Sequence, residues 1–508
     1  MSSDAASLAA FRQLLATTAS QPDAGRAVLL TDSLVGPAAG ALLRRCAIPH
    51  EFDRALLRRL GDLGEAEADE RYARFAELSL MQINNSTLSM HERWRQPLWH
   101  WWLGDAQRGE FVALNEALVE WFTAPTNSTG EDPVARRRMF HLIGCRQDEG
   151  MQLFETQFRT ARWRRRFSEC ALLLRLAHEY DPVLRPGERA LLTYEEGKLA
   201  SDVRDWARAL PLLRAVSDNV DADPRLRINA QVRAGHALSM TGRKQDALEL
   251  LEDARGRVET WPAAARSNWR VLYELGEVYR DLGRIDDASK TLAAALAGTR
   301  NQEDADVAGV LNSLGTVQLK LHDVDSAITS FQDSLNHLKR RGDVMRAGGV
   351  LNNLGLAQLE RCNWAAAEET LAESLQNKRA AGDVLGQATT LLNLSKAQAA
   401  QEHWEDACLS AEKAAASYQT ADDARGRARA RLALARLLRR GKRRDESAAL
   451  LQAVIADAQA AGDADTAAQA VAELALSAPK AGMPWWGWAL IAAGVLTLLA
   501  VVLTVVLN

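Results

Sequence analysis

The sequence predicts an all-α chain: a superhelical solenoid of helical hairpins, preceded by a small module and followed by one apolar helix. Three observations predict this fold. Small residues recur about every 40 positions from residue 185 onwards, and each repeat carries apolar residues at i, i+3 spacing. The last 28 residues contain no charged side chain. We therefore expect four segments: 1–125, 130–184, 185–478 and 484–507.

The composition excludes several classes of protein. The chain has 508 residues, 47% of them hydrophobic and 25% charged, which is typical of globular proteins and too long for one ordinary core. A formal net charge of −4 gives no basic field, so we expect no nucleic-acid partner. Five scattered cysteines without a C-x-x-C motif fit neither a disulfide framework nor a cysteine zinc site, and we expect no metal.

Residues 1–125 predict two short helices (38–60 and 68–80), a hairpin centred on Asn84 and Asn85, and a further helix. This order resembles the winged-helix module of STAND regulators, which in that family lies between an NTPase and a repeat array. Met90-His91-Glu92 is similar to the Met-His-Asp motif through which that module reaches a nucleotide, but Glu92 replaces the aspartate. No G-x-x-x-x-G-K-[ST] loop occurs in the chain, so we expect no nucleotide and no other cofactor. Ser89 and Glu92 alternatively fit a capping box.

Two further features of the first 184 residues leave alternatives open. Four tryptophans (Trp94, Trp99, Trp101 and Trp102) suit a packed core, an aromatic cage or a base-stacking platform. Five arginines (Arg159, Arg162, Arg164, Arg165 and Arg166) surround Trp163 and form either a solvated helix face or a site for lipid headgroups or an acidic partner. Residues 130–184 are expected to be a helical adaptor with one degenerate repeat, marked by Phe158, Phe167 and Cys170.

The repeats of residues 185–478 are defined by pairs of small residues twelve positions apart. The first members are Gly197, Gly235, Gly276, Gly315, Gly355, Ser395 and Ala435; the second are Ala209, Ala247, Ala288, Ala327, Ala367, Ala407 and Ser447. Small residues let the two helices of a hairpin approach closely. Gly-Asp pairs at 342–343, 382–383 and 462–463 predict the turns between units, because glycine ends a helix and aspartate caps the next. A single hairpin cannot bury its apolar face, so the units must stack.

The spacing of small residues, with an aromatic nine positions after the first one at Trp206, Trp364 and Trp404, resembles the tetratricopeptide repeat family. The period of about 40 residues is similar to the type in kinesin light chains and bacterial STAND regulators. The resemblance implies about seven repeats and a concave face that binds a protein or peptide partner. On that face we place four asparagines: Asn312, Asn352, Asn353 and Asn393. The alternative is that these amides cap or bridge neighbouring helices.

The C-terminal segment predicts a membrane anchor. Residues 484–507 are almost wholly apolar and long enough to cross a bilayer, with three tryptophans at one end. We therefore expect a tail-anchored, single-pass protein of the inner (cytoplasmic) membrane, whose N-terminal domain is cytoplasmic and whose C-terminal helix contacts the lipid bilayer.

No catalytic motif is present, so the sequence predicts a protein that is not an enzyme. The favoured interpretation is a scaffold that binds protein partners on its concave face and recruits them to the membrane. The alternative is a membrane-acting effector or signalling checkpoint, in stress or phage defence, whose repeats restrain the anchor until a partner or protease releases it.

Overall fold

The computed structural model describes residues 23–124, 131–261, 268–300 and 306–477. Within these residues the chain forms 24 α-helices and one two-stranded β-hairpin. It divides into two compact units, Met1–Ala237 and Leu238–Asn508.

The first unit begins with short helices around the hairpin. The elements are α1 (Asp23–Val35), α2 (Pro37–Arg45), α3 (Arg54–Gly61), α4 (Glu65–Ala76), β1 (Met81–Asn84), β2 (Thr87–Met90) and α5 (Glu92–Trp102). The hairpin predicted at Asn84 and Asn85 is confirmed, because β1 and β2 pair antiparallel and Asn85 has a φ of 53° in the turn. Phe52 forms an isolated bridge with Leu88 and so ties the hairpin to the preceding chain. Assignment of residues 1–125 as a winged-helix-like module stays a prediction.

The rest of the first unit is helical. It comprises α6 (Arg108–Thr123), α7 (Glu131–Cys145), α8 (Gln147–Trp163), α9 (Phe167–His178), α10 (Pro186–Asp202), α11 (Trp206–Asp218) and α12 (Pro224–Met240), of which the last three residues belong to the second unit. One continuous core extends from Ala27 to Leu192. The segments predicted as 1–125 and 130–184 therefore contribute to the same core.

The second unit consists of successive helical hairpins. Its helices are α13 (Lys244–Thr260), α14 (Asn268–Asp281), α15 (Ile285–Gly298), α16 (Val307–Lys320), α17 (Val324–Arg341), α18 (Val344–Glu360), α19 (Trp364–Ala380), α20 (Val384–Ala400), α21 (Trp404–Thr420), α22 (Ala424–Arg440), α23 (Arg444–Ala460) and α24 (Ala464–Ser477). In each repeat the first helix carries the first member of the pair of small residues, and the second helix carries the second member. We call these pairs the signature residues.

The signature residues lie where the two helices of a hairpin meet. The second members, Ala209, Ala247, Ala288, Ala327, Ala367 and Ala407, are all fully buried. A Cβ added to Gly276 would lie 2.6 Å from a Leu292 side-chain atom, and one added to Gly355 would lie 2.6 Å from Leu371. Both contacts are too short for a real Cβ. At the next repeat Ser395 replaces the glycine, and the residue at the position of Leu371 is Ala411. A larger residue on the first helix is thus matched by a smaller residue on the second helix.

Turns of two kinds join the helices. Between repeats, Gly342, Gly382 and Gly462 have φ values of 66°, 68° and 64°, and the next aspartate accepts a hydrogen bond from a backbone N–H of the following helix. These turns are confirmed as predicted. Within repeats, a left-handed residue occupies the middle of the turn at a fixed position, and only Gly242 and Gly283 are glycines there; elsewhere the residue is Arg204, His322, Cys362, Glu402 or Lys442.

The prediction of a C-terminal transmembrane helix is corrected. In the part of the chain that the structure describes, no helix is both long enough and apolar enough to cross a bilayer. The reason is that these helices alternate buried apolar positions with exposed charged ones, as in α22, which carries seven arginines. Residues 484–507, on which the prediction was made, lie outside the described residues. The single-pass membrane localisation that depended on this helix is therefore not supported.

Candidate functional site

The four asparagines lie on the first helices of three successive repeats. Asn312 is in α16, Asn352 and Asn353 are in α18, and Asn393 is in α20. The Nδ2 of Asn353 donates to the Oδ1 of Asn312 across 3.0 Å, and the Nδ2 of Asn393 donates to the Oδ1 of Asn352 across 3.1 Å. The amides therefore form two separate bonds, each of which joins neighbouring repeats.

The two amide pairs differ in burial. Asn352 and Asn393 are 7% and 5% exposed, and the Oδ1 of Asn352 also accepts a hydrogen bond from Thr390 Oγ1 at 3.2 Å. The Oδ1 of Asn393 accepts from the Nζ of Lys396. This pair bridges two neighbouring helices. Bridging is the alternative interpretation that the sequence left open for the asparagines. Asn312 and Asn353 are half-buried, so their amides are accessible to a ligand.

A cavity of about 430 Å³ lies beside the half-buried pair. It is lined mainly by first helices of the repeats, with Tyr273, Gly309, Asn312, Arg346, Gly349 and Asn353 among its walls, and with Lys378 from α19. A Cβ added to Gly349 would meet no atom within 4 Å, so this wall is open. We call this cavity the groove. It is polar and bordered by amide groups on successive repeats.

The charges around the groove are mostly paired. The guanidinium of Arg346 lies 2.6 Å from a carboxylate oxygen of Asp306, and Asp306 also caps α16 through the backbone N–H of Gly309. On α14, burial raises the pKa of Glu277 although Arg280 donates to it at 2.7 Å. Burial also raises the pKa of Tyr273. At neutral pH the Tyr273 phenol is therefore a neutral group that can donate or accept a hydrogen bond.

Sequence reasoning missed Lys378, Thr390 and Tyr273 at this site. Lys378 is only 7% exposed, and its Nζ donates to Thr390 Oγ1 at 2.9 Å. The signal that identifies it is a comparison of equivalent positions between repeats, because the two adjacent repeats have the buried residues Leu338 and Tyr418 at this position.

The tryptophans of the first unit form part of its core. Trp99 and Trp102 are 3% and 1% exposed, and Trp99 stacks on Phe140 with ring centroids 5.4 Å apart. The Nε1 of Trp99 donates to the backbone oxygen of Glu179. These contacts support the packed-core interpretation over a cage or a stacking platform. Trp94 and Trp101 are half-buried against the same core.

The motif at residues 90–92 does not form a capping box. Helix α5 begins at Glu92 with His91 as its N-cap, and no side chain caps it. Ser89 lies in β2, where its Oγ accepts a hydrogen bond from Asn84 Nδ2 at 3.0 Å across the hairpin. The capping-box alternative is therefore wrong, because Ser89 stands too early to be an N-cap.

The arginine cluster spans the end of α8, with Arg159 and Arg162 inside the helix and the other three arginines after it. Arg162 forms an ion pair with Asp202, and Arg166 lies 3.5 Å from Glu169. Trp163 at its centre is 82% exposed, and Arg164 and Arg165 are exposed as well. Phe158 and Cys170, which mark the degenerate repeat predicted within residues 130–184, are both buried and lie twelve residues apart. The repeat itself stays a prediction.

Comparisons with known proteins agree with this geometry. Residues 270–340 match the model of the tetratricopeptide repeat family. None of the curated protein sequences matches the chain. Among solved structures, the chain is similar to a Signal Transduction ATPase with Numerous Domains (STAND) protein with a tetratricopeptide repeat sensor from Pyrococcus horikoshii, with a TM-score of 0.52 and 14% sequence identity. That match covers 84% of this chain and 66% of the STAND protein, slightly less than two thirds of its length.

Two further structures are similar at lower scores. The apo form of RapI has a TM-score of 0.47 at 11% identity, over 64% of this chain and 97% of that one. Aspartyl phosphate phosphatase F from Bacillus subtilis has a TM-score of 0.43 at 12% identity, over 70% of this chain and 95% of that one. The family-model match and the similarity to the STAND protein confirm the resemblance drawn from the sequence: the chain carries tetratricopeptide repeats, which are typical of protein–protein interaction scaffolds.

Proposed function

We propose that this chain binds an extended segment of a protein partner in the groove, and that Asn312 and Asn353 hold the backbone of that segment. The observation that carries the proposal is the half-buried amide pair at the wall of the cavity. A side-chain amide has both donors and an acceptor, so it can bond a peptide unit whatever its side chain.

The bond between the two amides supports this role. It uses the Nδ2 of Asn353 and the Oδ1 of Asn312. Among the described residues, the opposite atoms, Asn312 Nδ2 and Asn353 Oδ1, have no bonded partner. One donor and one acceptor are thus presented side by side, as a peptide C=O and N–H require. Because the mutual bond fixes both side chains, little rotamer entropy remains to be lost on binding.

The size of the groove also favours an extended segment over a folded surface. A concave cavity of about 430 Å³ is of the size that encloses a small ligand or a few residues of a chain, and a broad folded surface could not enter it. Open space at Gly349 lets a backbone approach α18 closely. The partner segment is therefore expected to lie extended across the first helices of the repeats.

The experiment is a partner capture followed by an affinity measurement on the captured partner. The double variant Asn312→Ala/Asn353→Ala removes the two amides, and Asn336→Ala, at an exposed position of α17, is the matched control. A lost hydrogen bond costs about 0.5–1.5 kcal/mol, so the double variant should bind about 5- to 150-fold more weakly. The control should bind normally. Undiminished affinity in the double variant would refute the proposal.

A further inference from the structure

Trp163 is the most exposed large apolar side chain among the described residues. It is the last residue of α8 and is 82% exposed, whereas Trp99 and Trp102 of the same unit are buried. Counted two positions before the left-handed residue of each turn, the later turns within repeats have Asp202, Met240, Asp281, Lys320, Glu360, Ala400 and Arg440. None of these turns has an aromatic side chain at that position, so the fold itself does not require the exposed indole.

A second exposed apolar side chain belongs to the next turn of the same kind. Arg162 and Asp202 are the residues before Trp163 and Val203, and they form an ion pair in which Arg162 Nη2 lies 2.8 Å from Asp202 Oδ1. This pair joins the ends of α8 and α10 and so holds the two turns next to each other. Val203 is 52% exposed. The two turns therefore present an indole ring and an aliphatic group to solvent.

Arginines accompany these two apolar side chains. Residues 159–166 contain five arginines and no carboxylate, and Arg204 follows Val203 in the second turn. Two of the five arginines lie within 4 Å of a carboxylate, as described above for the cluster. Arg164 and Arg204 are exposed and form no ion pair with the part of the chain that the structure describes. Asp205, next to Arg204, is engaged as the N-cap of α11. Positive charge without a counter-charge thus lies beside the apolar groups.

We propose that Trp163, Arg164, Val203 and Arg204 form a surface that docks on an anionic lipid bilayer. Indole rings favour the headgroup layer of a membrane, and guanidinium groups form strong hydrogen bonds with phosphates. A projecting turn can bring both kinds of group to a flat membrane. The surface lies in the first unit and involves no membrane-spanning segment. The groove lies in the second unit, so this inference does not depend on the proposed function.

Two other classes of partner fit this surface less well. A single-stranded nucleic acid stacks successive bases on aromatic side chains, whereas this surface has one aromatic ring and the aliphatic Val203. An acidic protein segment would pair with Arg164 and Arg204 but would leave the indole of Trp163 in water. A bilayer with anionic headgroups satisfies the apolar and the charged side chains together.

The test uses the full chain with the environment-sensitive fluorescent amino acid Anap at position 163. The control carries Anap at position 220, because Val220 is 79% exposed but is flanked by Asp218 and Asp221 instead of arginines. Each chain is titrated with vesicles of phosphatidylcholine and phosphatidylglycerol, or with vesicles of phosphatidylcholine alone, at about 0.15 M salt. The fluorophore reports the surroundings of its own position, whatever other part of the chain contacts the vesicle.

Anionic vesicles should shift the emission at position 163 to shorter wavelength, and neither the control position nor the neutral vesicles should give this shift. The double variant Arg164→Gln/Arg204→Gln should raise the lipid concentration at the half-maximal shift about 25-fold, since each arginine near an anionic surface contributes about a fivefold gain in affinity. Arg164→Lys/Arg204→Lys keeps both charges and should keep the shift, which separates the loss of charge from damage to the fold.

An unchanged emission at position 163 with anionic vesicles would overturn the inference, as would an equal shift at position 220. Oligothymidylate and hexaglutamate replace the vesicles in two further titrations. A shift at position 163 with either of them, but not with vesicles, would assign the surface to a nucleic acid or to an acidic protein and would equally overturn it. Every one of these results leaves the proposed function of the groove untouched.

Discussion

The Nδ2 of Asn393 donates a hydrogen bond to the Oδ1 of Asn352 across 3.1 Å, and both side chains are buried between successive repeats. The other pair, Asn312 and Asn353, has the same geometry one repeat earlier, but its side chains are half-buried at the edge of a cavity. The two asparagine pairs therefore have different roles. One amide pair joins helices inside the array, and the other is accessible to a ligand.

The buried pair should matter for stability. Asn352→Ala leaves the Nδ2 of Asn393 and the hydroxyl of Thr390 without their common acceptor. An unsatisfied buried polar group costs about 1–3 kcal/mol, so the free energy of unfolding should fall by about this amount in urea titrations. Asn353→Ala should cost less, because water can reach its half-buried partner. Equal losses for the two variants would contradict the distinction between the pairs.

The close approach of the hairpin helices predicts a compensating double substitution. Gly355→Ala places a Cβ 2.6 Å from Leu371, and overpacking of this kind costs about 1–3 kcal/mol. Leu371→Ala alone empties a fully buried site, but in the Gly355→Ala background it should cost less than it does alone, since the repeat with Ser395 has Ala411 at the equivalent position. Gly349→Ala is the matched control on the same helix, because its Cβ meets nothing within 4 Å. Thermal melts of Gly355→Ala, Leu371→Ala, their double variant and Gly349→Ala test this explanation, which fails if the losses of the two single variants simply add.

The turns within repeats predict a stabilising substitution to glycine. Cys362 is exposed and has a φ of 60°, a left-handed conformation that costs an ordinary residue about 1–2 kcal/mol. Glycine removes that cost, but it also lowers the free energy of unfolding by about 0.4–1 kcal/mol because it increases the conformational entropy of the unfolded chain. Cys362→Gly should therefore raise the melting temperature slightly. The reverse change at the equivalent turn, Gly283→Ala, should lower it, and the opposite order of the two variants would refute the explanation.

The buried carboxyl of Glu277 predicts a pH dependence. Burial raises its pKa above the ordinary value of 4.5, so the folded chain holds the proton more tightly than the unfolded chain does. Stability from this group is present below pH 4.5 and is lost as the pH rises through the raised pKa of the folded state. Glu277→Gln stays neutral throughout. Its stability relative to the unmodified chain should therefore be greater at pH 7 than at pH 4, as measured by urea unfolding at both values. A difference that does not change with pH would contradict the raised pKa.

How much of the fold can be predicted from the sequence depends on how far apart in the chain the interacting residues lie. The repeats could be predicted, because two helices in contact impose small residues at a fixed spacing such as Gly355 and Ala367. The turns at Gly342-Asp343 could be predicted because both residues act on their own backbone. The left-handed turns at His322 and Cys362 could not, since the repeat geometry imposes a conformation that these residue types do not favour.

The candidate site was predicted only in part, for a related reason. The sequence identifies the asparagines, but not their exposure. Asn312 and Asn352 occupy equivalent positions of successive repeats and still differ in burial, so exposure depends on the side chains that the rest of the array packs around each of them. Lys378 was missed because a lysine in an amphipathic helix is ordinarily exposed. Only its register against Leu338 and Tyr418 reveals that its position is buried.

The most direct test of the central claim, that the groove holds the partner, is photo-crosslinking from within it. Benzoylphenylalanine is placed at position 349, where an added side chain meets open space, and at the exposed position 336 as a control. The account predicts a crosslink to the partner from position 349 alone, and its loss when Asn312→Ala and Asn353→Ala are added. A crosslink of equal yield from position 336, or one from position 349 that survives the loss of both amides, would contradict it.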